Sequence, residues 1–157
     1  MEETVLLESE WIVASELGQE RIVLDGLTQV LAQAGLDEPR LEEIVTAVSE
    51  ACLNAIEHGN RFVSALPVTA TMRVSRERYT FRIRDCGTGT DPEAAGEPMS
   101  VRGKIAWEQP RGWGLQLMRA YADKVTATRE NGGFCLELQF WRHCDGGSYD
   151  CGEEERQ

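Results

Sequence analysis

Three short segments of this 157-residue chain hold groups whose types and spacing could do chemistry together. The first runs from Glu50 to Gly59 and reads EACLNAIEHG. Steps of four residues advance about 400° around an α-helix, so Glu50, Asn54 and His58 fall near one another on one face. Such a face would present a carboxylate able to take a proton, an amide oxygen able to ligate a hard cation, and an imidazole. A solvated polar stripe is the plainer reading of the same spacing. The second segment, DCGTGTDP from Asp85, follows an alternating strand pattern. Its Gly87 and Gly89 allow a tight path and close approach to a ligand, and Asp85 could accept a hydrogen bond from a purine amino group. Any glycine-rich turn would look similar. The third, RGWGLQLM from Arg111, opens a helix with Gly112 and Gly114. Unpaired N–H groups and the dipole at a helix start make an anion site, although an ordinary loop-to-helix junction would also suit. Neither the GxxxxGK[ST] phosphate loop nor the dinucleotide GxGxxG pattern is present in these segments.

The elements that must position these groups are legible from periodicity and punctuation. Residues 4–13 are rich in Val, Leu, Ile and Trp and predict an N-terminal strand. Ser15 is a candidate N-cap for a helix over about 16–34, with Ile22, Leu27, Val30 and Leu31 on its buried stripe and Gly35 as its stop. Asp37 can cap the next helix, with Glu38 and Pro39 in its first turn. Leu41, Ile44, Val45, Val48, Cys52, Ala55 and Ile56 then recur at helical spacing up to Gly59. Strands are predicted over 68–75 and 78–84; in the second, Tyr79, Phe81 and Ile83 alternate with Arg78, Thr80, Arg82 and Arg84. Residues 85–111 lose all periodicity and carry four glycines and three prolines, which predicts a functional lid or a disordered segment. Arg102, Lys104 and Arg111 within it could meet phosphate. A helix over about 112–122 shows Leu115, Met118 and Tyr121 on one face. Residues 125–129 and 134–141 predict a hairpin around Asn131-Gly132-Gly133. Helices beside a mixed, mostly antiparallel sheet make an α+β two-layer sandwich, with helices on one face. One domain is expected over 1–142, followed by an acidic, unstructured tail over 143–157.

Charge and cysteine usage narrow the function classes. Sixteen Lys and Arg against 27 Asp and Glu leave a net charge of −11, which argues against nucleic-acid binding and suits a partner with a basic patch. No apolar run approaches the roughly 20 residues of a membrane span, and the acidic N-terminus lacks the features of a signal peptide. The five scattered cysteines read as reduced thiols of a cytoplasmic protein. His143, Cys144 and Cys151 could touch a metal, with an unstructured tail as the alternative.

Taken in order, ExxxN on a helix, DxGxG after a strand and GxG opening a later helix resemble the N, G1 and G2 boxes of the GHKL ATPases. That superfamily includes gyrase, MutL and the histidine kinases. Within it, VSEACLNAIEHG at 48–59 and RGWGLQLMRAYADKV at 111–125 look most like the RsbW-type anti-sigma-factor serine kinases. The resemblance covers about residues 4–141 and implies a Bergerat-type ATP-binding fold. It implies that Asn54 ligates Mg²⁺, that Asp85 recognises adenine N6, and that Gly87 and Gly89 shape the adenine pocket. It further implies that Gly112 and Gly114 give N–H groups to the phosphates of ATP, and that Glu50 is the general base toward a serine hydroxyl. His58 either lines the site or packs at the helix end. Thr90 departs from the apolar residue more usual after the second glycine, and the tail after Trp141 has no counterpart in the pattern.

The resemblance thus implies a protein serine/threonine kinase and anti-sigma factor acting on a STAS-domain antagonist, with a sigma factor or other regulator as the second partner. A homodimer formed through the face that includes the N-terminal strand is also implied. The alternative is a non-catalytic nucleotide-binding switch of the same fold; Glu50 favours the kinase, because binding alone needs no carboxylate beside the metal. A histidine kinase catalytic domain is the weaker third reading, since the two histidines lie elsewhere in the pattern.

Overall fold

The structure, a computed structural model, describes residues 3–87, 114–130 and 132–142. Strand β1 (Val5–Val13) leads to helices α1 (Glu20–Gln33) and α2 (Glu38–Asn54), and α2 continues into a π-helical turn (Ala55–Gly59). Strands β2 (Val68–Ser75) and β3 (Arg78–Arg84), helix α3 (Gly114–Tyr121), and strands β4 (Lys124–Glu130) and β5 (Gly133–Trp141) follow. The sheet order is β1-β2-β3-β5-β4, and each neighbouring pair is antiparallel, so the described sheet has no parallel component where a mixed one was expected.

Register explains why one face of the sheet is a core. Ala70, Ile83 and Leu136 sit opposite one another across β2, β3 and β5, as do Met72, Phe81 and Leu138, and Val74, Tyr79 and Phe140. These rows are buried, and Phe81 meets Phe140 edge to face at 5.8 Å. Against them pack Val23, Leu27 and Leu31 of α1, Ile44, Val48 and Cys52 of α2, and Leu115 and Met118 of α3. Each Leu, Ile or Phe removed from water there contributes about 1.5–3 kcal/mol. The opposite face carries Thr69, Thr71, Arg73, Arg82 and Arg84, with ion pairs from Arg73 to Glu8 (2.9 Å) and Arg82 to Glu137 (3.4 Å).

The helix punctuation works largely as composition predicts. Asp37 accepts from the Arg40 backbone N–H at 3.4 Å and caps α2. Gly35 takes φ +86°, so that Gly35 N bonds Ala32 O and Leu36 N bonds Leu31 O, the pairing of a left-handed helix stop. The start of α1 differs from expectation. It begins at Glu20, because Ser15 is wholly buried and donates to Leu66 O at 2.5 Å instead of capping. Its buried stripe is Val23, Leu27 and Leu31, spaced by four, which leaves Ile22 about 100° away and 50% exposed.

Arg40 locks the layers together. It bonds Glu43 and Asp123 at 2.8 Å, reaches Trp141 O at 3.3 Å and Tyr121 O at 3.4 Å, and covers the Phe140 ring at 5.2 Å. Asp123 also accepts from Trp141 N at 2.7 Å. The start of α2, the end of α3 and the end of β5 are thereby tied at one point, which holds α3 alongside α2.

Candidate functional site

The groups singled out in the sequence line up along α2 and its π-helical extension. At one end, Gly114 opens α3 directly against Glu50: a Cβ on Gly114 would lie 2.6 Å from Glu50 Oε2. At the other, a Cβ on Gly59 would overlap the Asp85 carboxylate. Asn54 lies between, as the last residue of α2. Nine residues at about 1.5 Å each separate Glu50 from Gly59, so a ligand touching both ends must be elongated, on the order of 13 Å.

Asn54 is 6% exposed, and its Nδ2 has no hydrogen-bond partner among the described residues. A buried polar atom without a partner is expensive, and a bound ligand is one way of satisfying it. The two ends of a carboxamide exchange by a half-turn about χ2, so one end of this group is available to a ligand whichever atom occupies it. An amide oxygen there suits a hard cation of the Mg²⁺ kind, which takes few protein ligands when phosphates complete its shell. Among the described residues no group of three or more His, Cys, Asp or Glu side chains could hold a metal by itself.

Asp85 ends β3 and is buried. Its Oδ1 accepts from Gly87 N at 2.6 Å and from Phe134 N at 3.2 Å, while its own N–H donates to Phe134 O at 2.9 Å. Oδ2 carries no hydrogen bond from the described residues. Burial pushes the carboxyl above its ordinary value of 3.8, opposed by the Gly87 and Phe134 amides and by Arg129. One oxygen is therefore held by the turn, and the other is left as an acceptor in a partly dehydrated place. Gly87 is obligatory: its φ is +67°, and a Cβ would run into the Gly132–Gly133 backbone of the β4–β5 turn.

His58 lies in the π-helical turn that continues α2 beyond Asn54. The wider π turn begins at Ala55, and His58 Nε2 lies 3.7 Å from Glu57 Oε2. Such turns are rare and concentrate at functional sites. Gly89 and Gly112 lie outside the described residues, as do the expected lid with Thr90, Arg102, Lys104 and Arg111, and the tail with His143, Cys144 and Cys151. Cys52, Cys86 and Cys135 form no disulfide, and burial pushes Cys52 up to about 12, so it is inert at neutral pH.

Comparison with known proteins agrees with this arrangement. Residues 13–140 match the profile of the histidine kinase-like ATPase domain. The chain belongs to that family. This histidine kinase-like ATPase domain is 29% identical over 116 residues to the serine-protein kinase RsbW of Staphylococcus epidermidis, an alignment that covers 71% of each chain. Its fold also matches a chain in the crystal structure of the SiaB–SiaC complex from Pseudomonas aeruginosa, with a TM-score of 0.62 at 13% identity, over 88% of this chain and 90% of the other. The sheet and helices described above are thus the architecture of an ATP-binding family. No helix among the described residues is long and apolar enough to cross a membrane.

Two residues beside the site carried no mark in the sequence. Gly59 reads there as a helix stop, yet its missing Cβ is what admits Asp85. Asn60, wholly buried, accepts from Cys86 N at 2.8 Å and donates to Ser15 Oγ at 2.9 Å and to Leu66 O and Pro67 O at 3.1 Å. A polar residue at the end of an apolar run is an ordinary loop signal, and nothing local distinguishes it.

Proposed function

We propose that this chain is an ATP-dependent protein serine/threonine kinase and anti-sigma factor that phosphorylates a STAS-domain antagonist in a partner-switching system. The observation that carries the reading is the Glu50 carboxylate set against Gly114 at the head of α3, one helical turn before the buried amide of Asn54. A site that only holds a nucleotide needs a metal ligand and phosphate donors, and it has no use for a second acceptor beside them. The likeness to a serine-protein kinase supports the same reading.

ATP, when bound, supplies the phosphoryl group. Asp85 Oδ2 would accept from the adenine amino group, with Gly87 and Gly89 shaping that pocket. Asn54 would hold Mg²⁺ through its amide oxygen. Gly112 and Gly114 would donate backbone N–H groups to the phosphates at the start of α3, where the helix dipole favours anions. Glu50 would take the proton from the attacking hydroxyl as the bond to phosphorus forms. Positioning and charge neutralisation carry most of phosphoryl transfer, so no covalent enzyme intermediate is required. The exposed Val5, Leu6, Leu7 and Ile12 of edge strand β1 support a homodimer through that side of the molecule.

Labelled ATP and candidate STAS proteins test the reading. Glu50→Gln keeps the size and polarity of the side chain and removes the proton acceptor. ATP binding is expected to persist while phosphotransfer falls by roughly 10²–10⁴-fold, the usual worth of a general base. Transfer at the parental rate would remove Glu50 from the mechanism. ATP-dependent partner binding by a parent protein that phosphorylates no partner would establish the non-catalytic switch instead.

A further inference from the structure

We infer that Asn60 is a positioning residue for purine selection, acting through the Cys86 amide to hold Asp85 with one oxygen free. The inference rests on the nucleotide reading above and extends it to a residue outside the three boxes. Asn60 is 0% exposed, and its planar head makes contacts that no smaller polar group could reproduce. Oδ1 accepts from Cys86 N at 2.8 Å; Nδ2 is shared among Ser15 Oγ, Leu66 O and Pro67 O at 2.9–3.1 Å. A carboxylate would lose both donors and face two carbonyls, and a hydroxyl would be too short to span the gap.

The geometry shows what the anchor controls. Cys86 follows Asp85 where β3 ends and the chain swings into the left-handed Gly87. With no strand partner to fix it, the peptide between Asp85 and Cys86 is held on its N–H side by Asn60. Asp85 is held from the other side, by Phe134 through the backbone and by Gly87 N through Oδ1. Asp85 can keep Oδ2 aimed past Gly59 only while both sides hold. Asn60 itself follows Gly59, so the residue that admits the carboxylate and the residue that fixes its backbone are adjacent. Ser15 completes the anchor from the end of β1, where its Oγ accepts from Asn60 and donates to Leu66 O.

The test compares affinities for ATP and inosine triphosphate, which presents a carbonyl in place of the adenine amino group and so offers Asp85 no donor. The parent is expected to prefer ATP by roughly 10-fold or more, the scale of one hydrogen bond to a charged group. In Asn60→Ala that preference is expected to fall close to one, with inosine triphosphate affinity held within about twofold. Ser15→Ala removes one of the partners of Nδ2 and leaves the Cys86 contact in place. It is expected to reduce the preference by about two- to threefold, and it decides the matter if Asn60→Ala does not fold. A folded variant that keeps the parental preference, or loses both nucleotides equally, would overturn the positioning role and leave the nucleotide reading standing. A parent with no preference for ATP would instead sink the assignment of Asp85, and this inference with it.

Discussion

Gly59→Ala is the substitution whose consequences can be worked furthest from the geometry. The backbone of Gly59 is not left-handed, so alanine meets no conformational strain there. Its Cβ, however, would land on the Asp85 carboxylate. Asp85 cannot withdraw freely, because Oδ1 is held by Gly87 N at 2.6 Å and by Phe134 N at 3.2 Å. Breaking that arrangement leaves buried N–H groups unpaired, at a cost of about 1–3 kcal/mol. Alanine returns about 1 kcal/mol over glycine in a helical stretch. The net loss is then about 0–2 kcal/mol, and at about 2–4 °C per kcal/mol for a domain of this size the Tm falls by about 0–8 °C. The functional loss is larger than the structural one. A hydrogen bond to a charged acceptor is worth about 1.5–3 kcal/mol, so ATP affinity is expected to drop roughly 10- to 150-fold. Titration calorimetry with Mg-ATP, beside thermal melts, reads both quantities. Gly35→Ala is the control: at φ +86° with nothing within 4 Å, it is expected to lose about 1–2 kcal/mol of stability and no ATP affinity. A folded Gly59→Ala protein with parental ATP affinity would refute the reasoning.

Asn54→Ala is expected to abolish the Mg²⁺ dependence of ATP binding; calorimetry with Mg²⁺ and with EDTA giving the parental difference would show that the amide holds no metal. Because burial raises Asp85 above 3.8, the stability linked to it is present below that pH and is lost as pH rises through the raised value. Asp85→Asn is therefore expected to melt above the parent at neutral pH, with the gap closing in acid, and a constant gap would count against it. If Asp85 accepts from the adenine amino group as proposed, parental ATP affinity is expected to fall as acid protonates it, while Asp85→Asn binds weakly with no such step. Gly26→Ala is expected to lower the Tm despite better helix propensity, because a Cβ there runs into the Trp11 indole; a higher Tm would show that the ring moves aside without loss.

Much of the architecture lies in local pattern. The alternation of Tyr79, Phe81 and Ile83 with charged and polar neighbours specifies a strand with one wet face, and β3 spans Arg78–Arg84 as that pattern predicts. Asp37 and Gly35 mark the start of α2 and the end of α1 because capping chemistry is a property of a few consecutive residues. The order of Glu50 and Asn54, then Asp85 and Gly87, then Gly114 is equally local, and it was enough to point to an ATP-binding family. What periodicity cannot carry is contact between distant segments. That Val23 is buried and Ile22 exposed depends on which way α1 faces the sheet, and both residues are equally apolar. Ser15 looked like a helix cap and became a buried anchor, because its partners Asn60 and Leu66 arrive from 45 and 51 positions away. Gly59 could be read as a stop signal, but only the fold brings Asp85 against it and turns a missing methyl group into part of the site. The candidate site residues could thus be proposed from their own neighbourhoods, whereas the groups packed against them were decided by tertiary packing, since steric exclusion and hydrogen-bond pairing act between atoms that are close in space and far apart in the chain.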